Sequence, residues 1–331
     1  MRGGAPVAPG FLPSKKPKPL EDSMKLITAA VGLMLGFFAV AATAQFKDWE
    51  TPVSLGPVVN SPYVDSCAAI SKNGLSLFFF SNRYAKDVNA AWHLYVSQRP
   101  SVDEPWGVPQ EIADFNDGLA ASCPALSPDE HRLFFASGRS GGCGSTDIWV
   151  SRRHDRKDDF HWGSPVNLGC MPNGPNSTSG ESGPTVVEDE TGTEVLFFNS
   201  GQPGGPGAGD IFESRMRNDD TFGPAILVAE LSTIYGDLAP AVRRDGLEVI
   251  FTSNRPGALG GPGDWDLWTA TRKSTADPWS EPVNGKSLNS PYYDGGKMCF
   301  SFDGREFYFR SHRDGNADLY VAKREKLHGR K

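Results

Sequence analysis

The chain has 331 residues, a formal net charge of −7 at pH 7, and 37 Gly and 26 Pro. The length allows one large domain or two ordinary ones. The acidic balance argues against a general nucleic-acid binder, which needs a basic stripe against the phosphates, and the abundant Gly and Pro point to a turn-dense all-β protein.

Residues 1–23, which include Lys15-Lys16-Pro17-Lys18, carry no fold signal, so translation starts at either Met1 or Met24. Met24-Lys25 is followed by an uncharged run of apolar and small residues from Leu26 to Ala42. Ala42-Thr43-Ala44 then forms a small-x-small cleavage pattern before Gln45. This reads as a secretory signal peptide, and residues 1–44 are assigned to a leader and signal peptide. The alternative is an uncleaved anchor, because the run is near the lower length limit for spanning a bilayer. That is the only membrane contact expected. Export places the protein in the periplasm or outside the cell, where disulfides persist.

From residue 45 to residue 323 the chain repeats one unit five times. Each unit opens on an aromatic residue shortly before a Pro: Trp49, Trp106, Trp162, Phe222 and Trp279. A loop follows, as in Asn60-Ser61-Pro62-Tyr63-Val64-Asp65 and Asn289-Ser290-Pro291-Tyr292-Tyr293-Asp294. Then come a short strand, a tight turn, an apolar burst, Ser-x-Arg, a Gly-rich loop and an Asp-led third strand. The bursts, such as Leu77-Phe78-Phe79-Phe80, alternate poorly, which fits strands buried on both faces. Arg244-Asp245-Gly246 and Phe302-Asp303-Gly304 have the chemistry of a hairpin turn that needs positive φ.

A period of roughly 56–60 residues holding four strand-like segments specifies a β-propeller with one repeat per blade. The inner three strands recur near 67–97, 123–151, 184–214, 239–270 and 297–322. The outer segment recurs near 51–56, 107–112, 164–168, 224–229 and 280–285, so one outer segment precedes the first inner set and none follows the last. The expected architecture is an all-β, five-bladed propeller with four-stranded blades, the N-terminal strand closing the last blade. Residues 324–331 form a basic tail.

The repeat resembles the TolB-like (WD-like) propeller repeat of bacterial envelope proteins. The residues that carry the resemblance are Ala125-Leu126-Ser127-Pro128-Asp129, Leu133-Phe134-Phe135-Ala136-Ser137-Gly138-Arg139 and Asp147-Ile148-Trp149-Val150. The likeness covers most of residues 49–323. It implies fold and family more than activity, because binding modules, envelope assembly factors and fused enzyme domains share the repeat.

There are five Cys. Cys143 lies in the Gly-rich loop of the second repeat and Cys170 follows its outer segment, so propeller connectivity places both on one rim and they are expected to pair. Cys67 and Cys123 hold equivalent positions on neighbouring inner strands and would pair across a narrow channel. Cys299 is left over.

Most repeat positions read as scaffold. The opening aromatics are expected to pack between blades. Asp147, Asp210, Asp266 and Asp318 lead the third strands, with His93 in that place in the first unit, and Arg83, Arg139, Arg255 and Arg313 follow the second strands. An Arg–Asp pair within each blade is the expectation, with Gln202 breaking the series. The more informative set is the acid leading each inner strand: Asp65, Glu181, Asp237 and, after a one-residue offset, Asp294, with Ala121 as a gap. Three readings of this ring stand side by side. Each acid holds its own loop. Or the ring binds a ligand, either a hard cation such as Ca²⁺, the one cofactor in view, or a protein or saccharide partner. Or Asp65, Glu181 and Asp237 act as glycosidase carboxylates. Tyr63, Tyr235, Tyr292 and Tyr293 lie beside the acids and suit carbohydrate or peptide contact. The expected role is an exported binding module for a protein or saccharide in the cell envelope; the alternative is a carbohydrate-active enzyme. Zinc, redox-dithiol and serine-hydrolase motifs are absent.

Overall fold

Runs such as Leu77–Phe80 and Leu133–Ala136 have no polar face to offer to water, and every residue in them is buried. Each is the second strand of a four-stranded antiparallel blade, covered on both faces by its neighbours. The computed structural model describes residues 1, 3–4, 46–83, 92–115, 120–261 and 263–327. The signal-peptide reading of residues 24–44, and residues 328–331 of the tail, lie outside the described residues.

The described residues from 46 to 327 form one unit with five sheets. Blade 1 is Asp65–Ile70, Ser76–Ser81, His93–Gln98 and Gln110–Glu111, counted from the channel outwards. Blade 2 is Ser122–Leu126, Arg132–Ser137, Asp147–Arg152 and Val166–Asn167. Blade 3 is Glu181–Glu188, Glu194–Ser200, Asp210–Arg215 and Ile226–Leu227, and blade 4 is Asp237–Val242, Glu248–Ser253, Asp266–Thr271 and Val283–Asn284. Blade 5 takes Asp294–Phe300, Glu306–Ser311 and Asp318–Lys323 from the C-terminal end and Val53–Ser54 from the N-terminal end. The closing register is Val53 opposite Val321 and Ser54 opposite Tyr320. Closure removes the open edge that the last sheet would otherwise present.

Neighbouring blades are tied by a bond that recurs around the whole ring. The backbone N–H of the residue at or just before the start of each inner strand donates to the carbonyl at the head of the preceding blade's third strand. The pairs are Asp65 to Ala317, Ala121 to Trp92, Glu181 to Thr146, Asp237 to Gly209 and Asp294 to Trp265, at 2.8–3.1 Å. The Asn of the loop motif adds a second tie. Asn60 brackets the backbone N–H and C=O of Leu319, Asn176 those of Ile148, and Asn289 those of Leu267. The side-chain amide supplies both a donor and an acceptor, as one more strand residue would.

The opening aromatics pack between blades as expected. Trp162 meets Phe78 edge-on with ring centroids 6.4 Å apart, Phe222 meets Phe134 at 5.8 Å, and Trp279 meets Phe197 at 6.5 Å, in each case on the second strand of the preceding blade. An Arg after the third strand covers most of these rings: Arg99 over Trp106, Arg153 over Trp162, Arg272 over Trp279 and Arg324 over Trp49, at 4.0–4.7 Å. Arg–ring stacking of this kind adds to the area buried. The turns between first and second strands take positive φ at Gly74, Gly246 and Gly304, and Glu130 takes it without a Gly.

Every inner strand carries a bulge after its first or second residue. Its left-handed residue is Cys67, Cys123, Gly183, Ala239 or Gly296. Cys67 and Cys123 form a disulfide across the first two inner strands, and Cys143 and Cys170 form the rim disulfide. Cys299 is free and half-buried.

Candidate functional site

At the mouth where the inner strands begin, each leading acid is buried to zero exposure. The Asp65 Oδ2 accepts the Ser61 backbone N–H at 2.5 Å and the Ser61 hydroxyl at 2.8 Å, while its Oδ1 accepts Arg83 Nη2 at 2.6 Å. Asp237 repeats this with Thr233 and Arg255, and Asp294 with Ser290 and Arg313. The same Arg also bonds a loop carbonyl, that of Val59, Leu231 or Leu288. Two paired charges, each with further hydrogen bonds, are what keeps such a group viable away from water.

The expected Arg–Asp pair within a blade is present, but its acid is different. In blades 1, 4 and 5 the guanidinium reaches the acid leading the inner strand, not the Asp at the head of the third strand. Asp65, Asp237 and Asp294 are cross-strand neighbours of Ser81, Ser253 and Ser311, two residues before their Arg. That Ser bonds the Arg Nε in all three blades and aims it at the acid. The third-strand Asp instead takes loop N–H groups: Cys143 to Asp147, Gly207 to Asp210 and Leu259 to Asp266. Burial pushes Asp210, Asp266 and Asp318 above the ordinary carboxylate range, and the charge of Asp237, Asp294 or Asp65 in the next blade adds to it.

Glu181 has no Arg partner among the described residues. Blade 3 has Gln202 in that place, and Glu181 is held by the Ser177 hydroxyl and N–H and the Ser200 hydroxyl. In blade 2 the acid is missing, and Ser137 Oγ donates to the carbonyl of Ala120 at 2.7 Å. Among the described residues no group of three or more His, Cys, Asp or Glu stands together as a set of metal ligands.

The clasp holds an aromatic in place. The Ser or Thr that bonds the acid also accepts the N–H two residues on: Tyr63 to Ser61, Tyr235 to Thr233 and Tyr292 to Ser290. The loop therefore turns over a buried charge and sets the tyrosine side chain outside. Tyr63 is 47% exposed, Tyr235 37% and Tyr292 58%. They sit at three consecutive blade junctions, 3/4, 4/5 and 5/1, and so share one arc of the mouth. Tyr293 turns inward against His312 and Arg310. Trp92 is a further exposed aromatic on this face that the repeat pattern did not single out. It is stacked on Phe80 at 4.9 Å and 45% exposed. It could have been found as the counterpart of Trp265, one residue before the head of a third strand.

No family model matches the chain, and no curated protein matches it. Solved propellers do. An α-L-arabinofuranosidase from Lactobacillus brevis is 13% identical, with 81% of this chain and 93% of that chain covered at a TM-score of 0.54. An α-L-arabinofuranosidase from Podospora anserina, solved with cellotriose, is 13% identical over 84% and 98% at 0.54. A Dyadobacter fermentans protein of unknown function is 12% identical over 86% and 100% at 0.53. At such identity the likeness is one of fold: this chain is similar to them as a five-bladed propeller.

Proposed function

We propose that the protein is an exported, non-enzymatic binding module that holds a saccharide on the face bearing Tyr63, Tyr235 and Tyr292. The observation that carries this reading is the exposure of three tyrosines on loops each tied to a buried carboxylate. Tyrosine brings a flat apolar ring and a polar tip, which suits contact with a wet, partly apolar ligand. The clasp fixes the loops beforehand, which lowers the entropy lost on binding. Trp92 extends the surface. Two disulfides are in keeping with an oxidising compartment outside the cytoplasm, and the repeat's resemblance to TolB-like envelope proteins points the same way. In this reading Asp65, Glu181, Asp237 and Asp294 serve the site by positioning the loops.

The fold likeness to arabinofuranosidases makes hydrolysis the natural rival. A glycosidase needs two carboxylates that reach the scissile bond. Asp65, Glu181 and Asp237 are sealed from solvent and bonded through both oxygens. The test is binding to a panel of xylo-, cello- and arabino-oligosaccharides, with turnover followed in the same tubes. Replacing Tyr63, Tyr235 and Tyr292 by Ala is expected to weaken binding at least tenfold and leave the melting temperature within a few degrees. Absence of saccharide binding by the folded parent overturns the proposal. Turnover that disappears in Glu181→Gln replaces it with the hydrolase reading.

A further inference from the structure

The far end of the channel, away from the tyrosines, carries a residue that the repeat does not provide for. In blade 1, Asp65 and Ala69 face Ser81 and Phe78; in blade 5, Asp294 and Cys299 face Ser311 and Tyr308. The partner strands span the same interval, but the inner strand of blade 5 has one residue more. The extra residue widens the bulge, and Lys297 lies within it. Ala69, Ala125, Thr185, Ala241 and Cys299 hold one equivalent position on the five inner strands, next to their second-strand partners. All five are small, and a cavity of about 120 Å³ opens between them. Lys297 lines it and is 3% exposed.

Lys297 Nζ makes a single hydrogen bond, to the Ala68 carbonyl at 3.1 Å, and no ion pair among the described residues. An ammonium has three donors, and a buried charge without a counter-ion is costly. The nearby ionisable group is the Cys299 thiol, which burial pushes up to about 11, so it stays protonated and supplies no counter-charge. The Thr185 hydroxyl, on the same cavity, is buried without a partner. The wall beyond is apolar, formed by Leu126, Val186 and Val242. At the opening, Lys72 and Arg244 lie over the Phe302 ring at 4.5 and 3.8 Å. Glu130 is the one acid lining the cavity and accepts the Lys72 backbone N–H. Cations outnumber acids, and the deepest of them is desolvated.

We propose that this cavity binds a small organic carboxylate, its anionic end on Lys297 and Thr185 and its hydrocarbon part against Leu126, Val186 and Val242. The site is separate from the tyrosine face and does not rest on the saccharide reading. The test titrates the full chain at pH 7 with acetate, butyrate, hexanoate and octanoate by calorimetry and thermal shift. Hexanol and hexanamide serve as uncharged matches. The expected result is binding that strengthens with chain length up to the size the cavity admits, with hexanoate at least tenfold tighter than hexanamide. Lys297→Met is expected to abolish that tenfold preference. Arg244→Glu, at an exposed position that leaves the core untouched, is expected to weaken hexanoate several-fold and leave hexanamide unchanged. The triple tyrosine-to-alanine variant is expected to bind hexanoate like the parent. No heat or melting shift with any of the acids in the folded parent overturns the proposal. So does equal binding of hexanoate and hexanamide, or an unchanged preference in both Lys297→Met and Arg244→Glu.

Discussion

At one end of the channel, Asp65, Asp237 and Asp294 each meet an Arg and a Ser or Thr of their own blade and junction loop; towards the other, Lys297 meets, among the described residues, only a backbone carbonyl. The first arrangement recurs in three of the five blades, and its charges are matched and locked. The second occurs once, where the repeat is broken by one residue, and its charge is left without a counter-ion. In a repeat protein, a charge pair that recurs in equivalent places belongs to the unit that every repeat shares, so its recurrence marks scaffold. A charge that breaks the pattern has no partner supplied by the pattern, and it is the better place to look for a ligand.

Both ends of the channel exist only in a closed ring, and the largest effect is expected from opening it. Deleting residues 49–56 removes the strand opposite Val321 and Tyr320 and the Trp49 ring packed on Phe300 and Phe307. The protein is then expected to lose cooperative thermal unfolding, or to melt at least about 10 °C lower. A truncated chain that melts like the parent breaks the closure scheme.

Within the clasped mouth, Asp237→Ala leaves Arg255 buried without its acid and is expected to cost about 3–5 kcal/mol in urea denaturation. A value near zero would mean that the pair is not the lock described here. Glu181→Gln removes bonds to hydroxyls and one N–H but strands no opposite charge, and its expected cost is smaller, about 1–2 kcal/mol. Equal costs for the two substitutions would erase the distinction between blade 3 and its neighbours.

The unpaired end has a pH signature between these two in size. Burial brings Lys297 down to about 8, below the range of an exposed lysine. Below that pH the folded and unfolded chains both carry the proton, so the cost of burying the charge is constant. As pH rises towards the unfolded value, the unfolded chain still holds a proton that the folded chain has released, and stability rises. Relative to Lys297→Met, the parent is expected to gain on the order of 3 kcal/mol between about pH 8 and 10.5. Denaturation of both proteins across that window checks it. The comparison with the variant removes most of the opposing contribution of Cys299, which titrates in both. A flat difference would mean that Lys297 already has a counter-charge.

Much of this was open to inspection in the order of residues. The opening aromatics, the Asp-Gly turns and the doubly buried bursts lead to five blades. The imbalance of outer and inner segments leads to closure by the N-terminal strand, because the last set of inner strands has no outer segment after it and the first outer segment has no inner set before it. The rim disulfide follows from connectivity once the blades are counted. Tyr63, Tyr235 and Tyr292 could be placed beside the acids, since three or fewer residues separate them. What the amino-acid order left undecided are choices between partners distant in sequence. An Arg ending a second strand has two carboxylates within reach of its blade, and only the cross-strand Ser aims it at the inner one. Whether Asp65 faces a ligand or its own loop turns on a register that one residue of slip would reverse. The isolation of Lys297 shows only when five inner strands stand around one axis, because the absence of a counter-ion is a property of all the neighbours at once. Local pattern determines elements whose energetics are local, and the closed ring determines which charges find a mate.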